Sequence, residues 1–147
     1  MDELELEFEL DSRLANDCIL LGDFPLSRLL LMNDAQYPWF ILVPRRAGVT
    51  EMYHLSEGER YQLMDESAEL AEAMADSFSA KKMNVAMLGN MVPQLHLHHI
   101  ARQESDPAWP GPVWGKHPTK PYIQEQIKDM RERIKSILSS EIAFFDE

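Results

Sequence analysis

The spacing of apolar residues changes at Ser56, and this change limits the possible folds more than any other feature of the chain. Before Ser56, apolar residues form three runs of strand length, over 18–22, 27–32 and 38–43. From Ser56 to about Ser79 they recur instead at helical spacing, which predicts one long helix. The apolar stripe of this helix is expected to face the core and consists of Tyr61, Met64, Ala68, Ala71, Met74, Ala75 and Phe78. Ser56 and Glu59 have the spacing of a capping box and are expected to begin that helix.

The segments after this helix are assigned from the same two periodicities. Residues 83–88 and 93–101 have the apolar pattern of two further strands. Residues 103–119 are rich in proline and predict an irregular loop. Apolar residues at helical spacing from Ile123 to Ile137 predict a closing helix.

The N-terminal segment has a pattern of its own. Residues 3–10 alternate acidic and apolar side chains, which predicts a half-exposed strand at a sheet edge. Asp11 and Ser12 are suited to cap a short turn or helix that continues through Asp17.

This order of elements predicts a single domain over residues 1–147, of the α+β class. We expect an antiparallel sheet of about five strands with one long helix and a C-terminal helix, because the connections are short. Residues 18–102 form its core, and residues 103–138 add the C-terminal loop and helix. A chain of 147 residues is of the right length for one such domain.

Charge and composition exclude several classes of protein. The formal net charge is −11 and the pI is about 4.8, with no basic stripe, which argues against partners such as nucleic acid or an anionic membrane. No apolar run approaches the roughly 20 residues that span a bilayer, and the acidic N-terminus is unlike a secretory signal. Cys18 is the single cysteine, so we expect a cytoplasmic protein without an internal disulfide.

Three of the five histidines lie between positions 96 and 99. On a strand, His96 and His98 share a face with Gln94, whereas His99 shares the other face with the leucines. His99 is therefore expected to be a structural histidine with buried hydrogen bonds. The pair His96 and His98 leaves three uses open: metal chelation, phosphoryl or nucleotidyl transfer, or a polar sheet face.

The residues around this pair narrow the choice. The segment reads Gly89-Asn90-Met91-Val92-Pro93-Gln94-Leu95-His96-Leu97-His98-His99-Ile100-Ala101-Arg102, and it resembles the histidine triad (HIT) family of nucleotide hydrolases and transferases. Upstream, Leu29–Asn33 followed by Tyr37–Arg45 is similar to that family's unit of strand, Asn and strand. The resemblance covers about residues 18–102 and implies a HIT-like fold.

The resemblance also implies roles for individual residues. His96 would attack the α-phosphorus of a nucleotide conjugate, His98 would contact the phosphate or the leaving-group oxygen, and Gln94 would support them. The expected conjugates are nucleoside phosphoramidates (a phosphoramidase activity) and dinucleoside polyphosphates such as diadenosine polyphosphate. The nucleotide-binding positions implied are Asn33 for the ribose, Asn90 for the phosphate, and Asn84 and Arg102. Candidates for an apolar base pocket are Leu30, Met32 and Phe24. The implied chemistry needs no metal or cofactor, and the implied partners are a purine nucleotide and a second copy in a homodimer.

The sequence departs from the family pattern at four places. Gln94 replaces the first histidine of the triad, and Asn90 replaces the glutamine of the Gly-Gln turn. Pro38-Trp39-Phe40 stands where the family has Pro-Gly-His, so that Phe40 takes the place of a histidine, and Ala101-Arg102 stands for Pro-Arg. We interpret the chain as a divergent, active branch with altered substrate choice. The alternatives are a nucleotide-binding module with little or no catalysis, and a metal site at His96 and His98.

Trp109 and Trp114 lie in the proline-rich loop. They would either stack on a base or leaving group, or attach the loop to the sheet or to a second subunit; we favour attachment, with the loop near the site in both cases.

Overall fold

The computed structural model describes residues 7–138 and 141–146. A short helix precedes three strands, a long helix precedes two more, and a third helix precedes a final two-residue strand. In chain order the elements are α1 (Ser12–Asp17), β1 (Cys18–Asp23), β2 (Ser27–Met32), β3 (Trp39–Pro44), α2 (Glu57–Ser77), β4 (Lys82–Ala86), β5 (Leu97–Arg102), α3 (Gln124–Lys135) and β6 (Ala143–Phe144).

The strands form one antiparallel sheet in the order β4-β5-β3-β2-β1-β6. One face is covered by α2 and α3, whose Leu63, Leu70 and Ile134 pack with strand residues such as Leu42 and Leu97. The other face carries a second apolar cluster, to which α1 and the proline-rich loop contribute Leu14, Ala108 and Val113. The predicted α+β architecture is confirmed, and the described residues form a sheet of six strands where about five were expected.

Helix α2 begins where the capping box predicts. The Ser56 hydroxyl accepts from the Glu59 amide at 3.2 Å, and the Glu59 carboxylate accepts from the Ser56 amide at 2.8 Å. Farther along, the buried Glu66 carboxylate accepts from the amides of Leu26 and Ser27 at 2.8 and 2.9 Å. These bonds hold the helix against the start of β2.

The apolar stripe expected on this helix is only partly buried. Met74 is fully buried and Phe78 packs against the core, but Tyr61 and Met64 are exposed at 66% and 60%. Leu63 and Leu70 instead take the core-facing positions. The helix therefore has a second, exposed apolar patch at its N-terminal half.

Two predicted strands need correction. The strand expected over residues 93–101 begins only at Leu97, so His96 lies in irregular backbone just before β5. Residues 7–10 are not a strand, and the rest of the predicted strand over 3–10 lies outside the described residues. By contrast, Asp11 caps α1 as expected, its side chain accepting from the Arg13 amide at 2.8 Å.

Strand β6 was not predicted from the sequence. It pairs with β1, with Gly22 opposite Phe144 and Asp23 opposite Ala143. A Cβ atom at Gly22 would lie 2.5 Å from the Ala143 carbonyl oxygen, which is too close for any side chain. A glycine at this position therefore allows the C-terminal segment to lie against the sheet.

None of the helices within residues 7–138 and 141–146 combines the length and apolar character needed to cross a membrane.

Candidate active site

His96 and His98 form a pair at the start of β5. Their ring centroids are 4.8 Å apart and the rings are inclined at 69°. Both side chains are buried, at 6% and 7% exposure. The structure therefore brings together the two residues that the sequence singled out for chemistry, although His96 lies in irregular backbone just before the strand.

The ring of His96 is oriented by its own backbone. Its Nδ1 lies 2.7 Å from the carbonyl oxygen of Gln94. A carbonyl can only accept, so Nδ1 donates and carries the proton, and Nε2 of the neutral ring retains its lone pair. A nitrogen in this state is a nucleophile.

The ring of His98 lies between two indoles. Trp39, on β3, donates its Nε1–H to Nδ1 of His98 at 3.0 Å. Trp114, in the proline-rich loop, meets the same imidazole at a centroid distance of 5.1 Å and an angle of 75°. Burial lowers the pKa of His98 to about 3, and the neighbouring imidazoles of His96 and His99 act in the same direction.

A cavity of about 330 Å³ opens beside the two histidines. Its wall is mainly apolar, with two polar side chains, Asp17 and Asn90, that are able to contact a ligand. Its apolar lining comes from α1, the strands, the segment before β5 and the loop: Leu14, Cys18, Met32, Trp39, Ile41, Leu88, Met91, Val92 and Trp114. An apolar hollow with a few polar groups at one end is typical of sites for small organic ligands.

A second cavity of about 220 Å³ touches His96 from another direction. It is lined by Thr50–Tyr53, by the Met87–Gly89 segment and by the residues just before β5. His96 thus lines both hollows, and His98 lines the apolar one.

The comparisons with known proteins agree with this geometry. A family model described as the HIT domain matches residues 13–105, which is more than half of the chain. The chain belongs to the HIT family. A histidine triad protein from Marinobacter aquaeolei VT8 is 52% identical, with a TM-score of 0.87 over 89% of this chain and 96% of that one. The comparison with curated proteins finds no match.

Two other solved HIT structures are similar over almost their whole length. A histidine triad protein from Bradyrhizobium japonicum is 40% identical, with a TM-score of 0.88 over 90% of this chain and 98% of that one. A HIT protein from Sinorhizobium meliloti 1021 is 41% identical, with a TM-score of 0.89 over 91% of this chain and 99% of that one. The HIT-like fold expected from the resemblance is therefore confirmed.

Gln94, at the first triad position of this HIT protein, points its side chain away from the cavity of the two histidines and to the N-terminal segment. Its Oε1 accepts from the Asp11 amide at 2.9 Å, and its Nε2 donates to the Glu9 carbonyl at 2.9 Å. Its own carbonyl holds His96. Gln94 thus links His96 to the segment that leads into α1, one wall of the apolar cavity.

Three of the expected nucleotide-binding residues lie outside that cavity. Asn33 lines a neighbouring hollow, and its Oδ1 accepts from the Tyr122 amide at 2.9 Å. Asn84 accepts from Arg102 at 2.8 Å. Arg102 is 1% exposed and also donates to Asp106, at 2.8 and 3.0 Å, and to the Gly111 carbonyl. The guanidinium of Arg102 is thus held in a buried network outside the apolar cavity, and the Asn84 side chain accepts one of its hydrogen bonds.

Asp106 completes this buried network. Burial alone would raise the pKa of Asp106, but hydrogen bonds from Arg102 and from the amides of Gln103 and Trp109 outweigh it and lower the pKa. Trp109 also stacks near the Arg102 guanidinium, 5.7 Å from ring centroid to carbon. Trp109 therefore attaches the loop to the sheet, as expected, whereas Trp114 reaches the histidine pair.

The residue of the β3 strand that meets the histidines is Trp39, not Phe40. Phe40 is fully buried on the helix-covered face, where it packs against Phe78. Neighbours on a strand point to opposite faces, so only one of the two can reach His98. The family resemblance placed the lost histidine at Phe40 and so missed Trp39. Ile41 is paired with His98, and Trp39, two residues away on the same face of β3, reaches His98 through its indole N–H.

His99 has the structural position that its leucine neighbours predict. It is fully buried, its Nδ1 donates to the Leu97 carbonyl at 3.1 Å, and its Nε2 accepts from the Ser67 hydroxyl at 2.7 Å. Burial lowers the pKa of His99 to about 4, against the effect of its backbone hydrogen bonds. Of the expected base-pocket residues, Met32 lines the apolar cavity, whereas Leu30 and Phe24 are buried in the core on either side of the sheet.

Within the described part of the chain, no three His, Cys, Asp or Glu side chains are grouped as metal ligands would be. A zinc site at His96 and His98 would therefore lack a third protein ligand there.

Proposed function

We propose that this HIT protein is a hydrolase or transferase that acts on the α-phosphate of nucleotide conjugates through a nucleotidyl-His96 intermediate. The observation that carries the proposal is the 2.7 Å bond from His96 Nδ1 to the Gln94 carbonyl, which leaves Nε2 free as a nucleophile beside an apolar cavity. Membership of the HIT family supports the same reaction class.

The reaction has two steps. In the first, the lone pair of His96 Nε2 forms a bond to the α-phosphorus, the bond from phosphorus to the leaving group breaks, and the leaving group keeps the electron pair. The positive charge that develops on the ring is stabilised by the Gln94 carbonyl. In the second step, water or another acceptor attacks phosphorus and loses its proton to solvent. The N–P bond breaks, its electron pair returns to Nε2 of His96, and the mononucleotide is released.

Each of the two cavities beside His96 would hold one part of the substrate. The apolar cavity of about 330 Å³ is suited to the base and ribose, with Asn90 donating to the phosphate. The second cavity, which also touches His96, is placed to receive the leaving group. Both a nucleoside phosphoramidate and a dinucleoside polyphosphate fit this division, and a purine is the expected base.

The functional unit in this proposal is a homodimer. β4 is an edge strand of the sheet, and apolar residues on and after it are exposed: Val85, Met87, Leu88 and Met91. Tyr61 and Met64 add an exposed patch on α2. A second copy that pairs with this edge would cover both patches. Light scattering should then give twice the 17.0 kDa chain mass, and Val85→Glu should reduce it to one chain mass.

The experiment that tests the activity is release of AMP from adenosine phosphoramidate and from diadenosine polyphosphates. We expect release by the wild type from at least one substrate, and a loss of about a thousandfold or more in His96→Ala, because no other group replaces the nucleophile. Full activity in a folded His96→Ala protein would overturn the assignment of the nucleophile.

Covalent trapping separates the enzyme from the alternative, a nucleotide-binding module. Intact-protein mass spectrometry of acid-quenched reactions should detect a nucleotidyl adduct on the wild type and none on His96→Ala. Binding of AMP without an adduct and without release from any substrate would establish the binding module instead.

A further inference from the structure

The hydrogen bond between Trp39 and His98 determines which nitrogen of His98 carries a proton. An indole N–H can only donate. Nδ1 of His98, 3.0 Å from Trp39 Nε1, therefore accepts and carries no proton. In the neutral ring the proton is then on Nε2, which is the opposite of the arrangement in His96, where Nδ1 donates to a carbonyl.

We infer that Trp39 is a positioning residue that fixes His98 as a neutral Nε2–H donor, so that His96 and His98 meet the phosphate with opposite tautomers. His96 presents a lone pair for attack, and His98 presents a hydrogen for a phosphate or leaving-group oxygen. The part of this inference that concerns the reaction rests on the function proposed above. The tautomer of His98 does not depend on it.

The surroundings of His98 support a neutral ring. Protonation of Nδ1 would break the bond from Trp39 and place a charge in a site that is 7% exposed. The ionisable groups that line its cavity are His96, Asp17 and Cys18, and His99 is its neighbour on β5 on the other face of the sheet. β3, β4 and the proline-rich loop present Trp39, Ala86 and Trp114, none of which titrates in the range of histidine. The low pKa of His98, about 3, follows from this burial.

A neutral Nε2–H donor can stabilise charge, but it is a poor proton source. Loss of its proton would leave an imidazolate, a strong base that a neutral imidazole forms far less readily than an imidazolium ring forms imidazole. His98 therefore contributes a hydrogen bond to the transition state, and the departing group takes its proton from water. The rate of the first step should accordingly depend steeply on the acidity of the leaving group.

Nitrogen NMR of the full-length protein, labelled with ¹⁵N in histidine and tryptophan, tests the inference directly. We expect His98 to show a protonated Nε2 and an unprotonated Nδ1 from pH 5 to pH 8, and the neutral form of His96 to show the reverse. A coupling across the hydrogen bond from Trp39 Nε1 to His98 Nδ1 should be present. A proton on Nδ1 of His98 at neutral pH would overturn the inference without any measurement of activity.

Trp39→Phe removes the donor and keeps an aromatic ring. We expect the pKa of His98 to rise, the fixed tautomer to become a mixture, and kcat to fall about five- to tenfold, as for the loss of one neutral hydrogen bond. Trp114→Phe is the matched control, since its ring also contacts His98 but donates no hydrogen bond to it. The His98 tautomer should be unchanged in that variant. If Trp39→Phe does not fold, the wild-type spectra alone decide.

Aryl esters of AMP with leaving groups of graded acidity test the catalytic part. The wild type should show a steep dependence of the first step on leaving-group pKa, and Trp39→Phe a shallower one at acid pH, where His98 then protonates. A shallow dependence in the wild type would overturn the inference that His98 gives no proton. Absence of turnover with every ester would count against the proposed function, while the NMR result would still stand for Trp39.

Discussion

His98 and His99 are neighbours on β5, both are buried, and burial lowers the pKa of both. They differ in the face of the sheet on which they lie and in their hydrogen bonds. His99 lies under α2 with both ring nitrogens bonded, to Leu97 and Ser67. His98 lies on the other face with Nδ1 bonded to Trp39, and no hydrogen bond to its Nε2 is found among the described residues. Burial and a displaced pKa are therefore common to a structural and a functional histidine. The nitrogen without a protein partner, facing a cavity, distinguishes the two.

Of the substitutions that test this difference between the two histidines, His98→Ala should have the largest effect, and that effect should be on activity. We expect kcat to fall by about a hundredfold or more, because a donor to the transition state is lost. The free energy of unfolding should change little, since a cavity already adjoins the ring. Steady-state kinetics and urea unfolding on the same preparation measure both. A folded His98→Ala protein with near-normal kcat would show that His98, like His99, has a structural role alone.

Replacement of His99 by alanine should have the reverse profile. It leaves a void beneath α2 and deprives the Ser67 hydroxyl of its partner, so we expect a loss of about 3 kcal/mol in the free energy of unfolding. At a temperature where the variant is fully folded, kcat should remain within about threefold of the wild type. A loss of activity as large as that of His98→Ala would place His99 in the catalytic machinery.

The pH dependence of stability tests both histidines together. The folded pKa values, about 3 for His98 and about 4 for His99, lie below the ordinary value of 6.5. Between the folded values and pH 6.5, the unfolded chain therefore binds more protons than the folded chain does. The contribution of each histidine to stability is fully present above pH 6.5 and is lost as the pH falls from 6.5 towards the folded value. Urea unfolding at pH 7.5 and pH 5 should differ by about 2 kcal/mol for each histidine.

The matched control for this measurement is His99→Ala, in which about half of the pH dependence should disappear. A free energy of unfolding that is constant from pH 7.5 to pH 5 would mean that neither imidazole is held neutral by the fold.

Replacement of Gln94 should have the smallest effect on activity, because its side chain bonds to the N-terminal segment. Gln94→Leu removes the bonds to Glu9 and Asp11, and we expect KM to rise about fivefold with kcat within about threefold, because one wall of the apolar cavity loosens. Gln94→Glu keeps the acceptor and should give a smaller rise. Equal KM values in all three proteins would show that the segment needs no such link.

Helices and strands could be predicted from the sequence wherever the apolar residues recur at a single spacing, either helical or strand-like. β1, β2, β3 and α2 follow from apolar spacing and the capping box, and α3 follows from the isoleucines after Ile123. β6 could not be predicted in this way, because it is two residues long and depends on a distant glycine. Tyr61 and Met64 have the spacing of core residues, but the position of α2 on the sheet turns them outward.

The sequence predicted which histidines form the site, but it did not predict which residues form hydrogen bonds around them. The sequence motif identified His96 and His98, and alternation assigned His99 to the core. Arg102 and Asn84 were expected to bind nucleotide, whereas their mutual bond and Asp106 occupy them in the interior. Trp39 was missed, since the choice between Trp39 and Phe40 depends on which face of β3 meets His98, and this is set by the pairing of distant strands.

The absence of a side chain at Gly22 has a consequence for how copies of this chain associate. β4 leaves one edge of the sheet open, and β6 covers the other edge by pairing with β1. If copies join through β4, the short C-terminal strand is what closes the pair to further addition. Truncation after Leu138, or Gly22→Val, would then leave two open edges on one subunit and permit linear polymerisation. A segment that contributes two residues to the sheet would thus limit assembly to the pair, and any tag at the C-terminus should leave this segment intact.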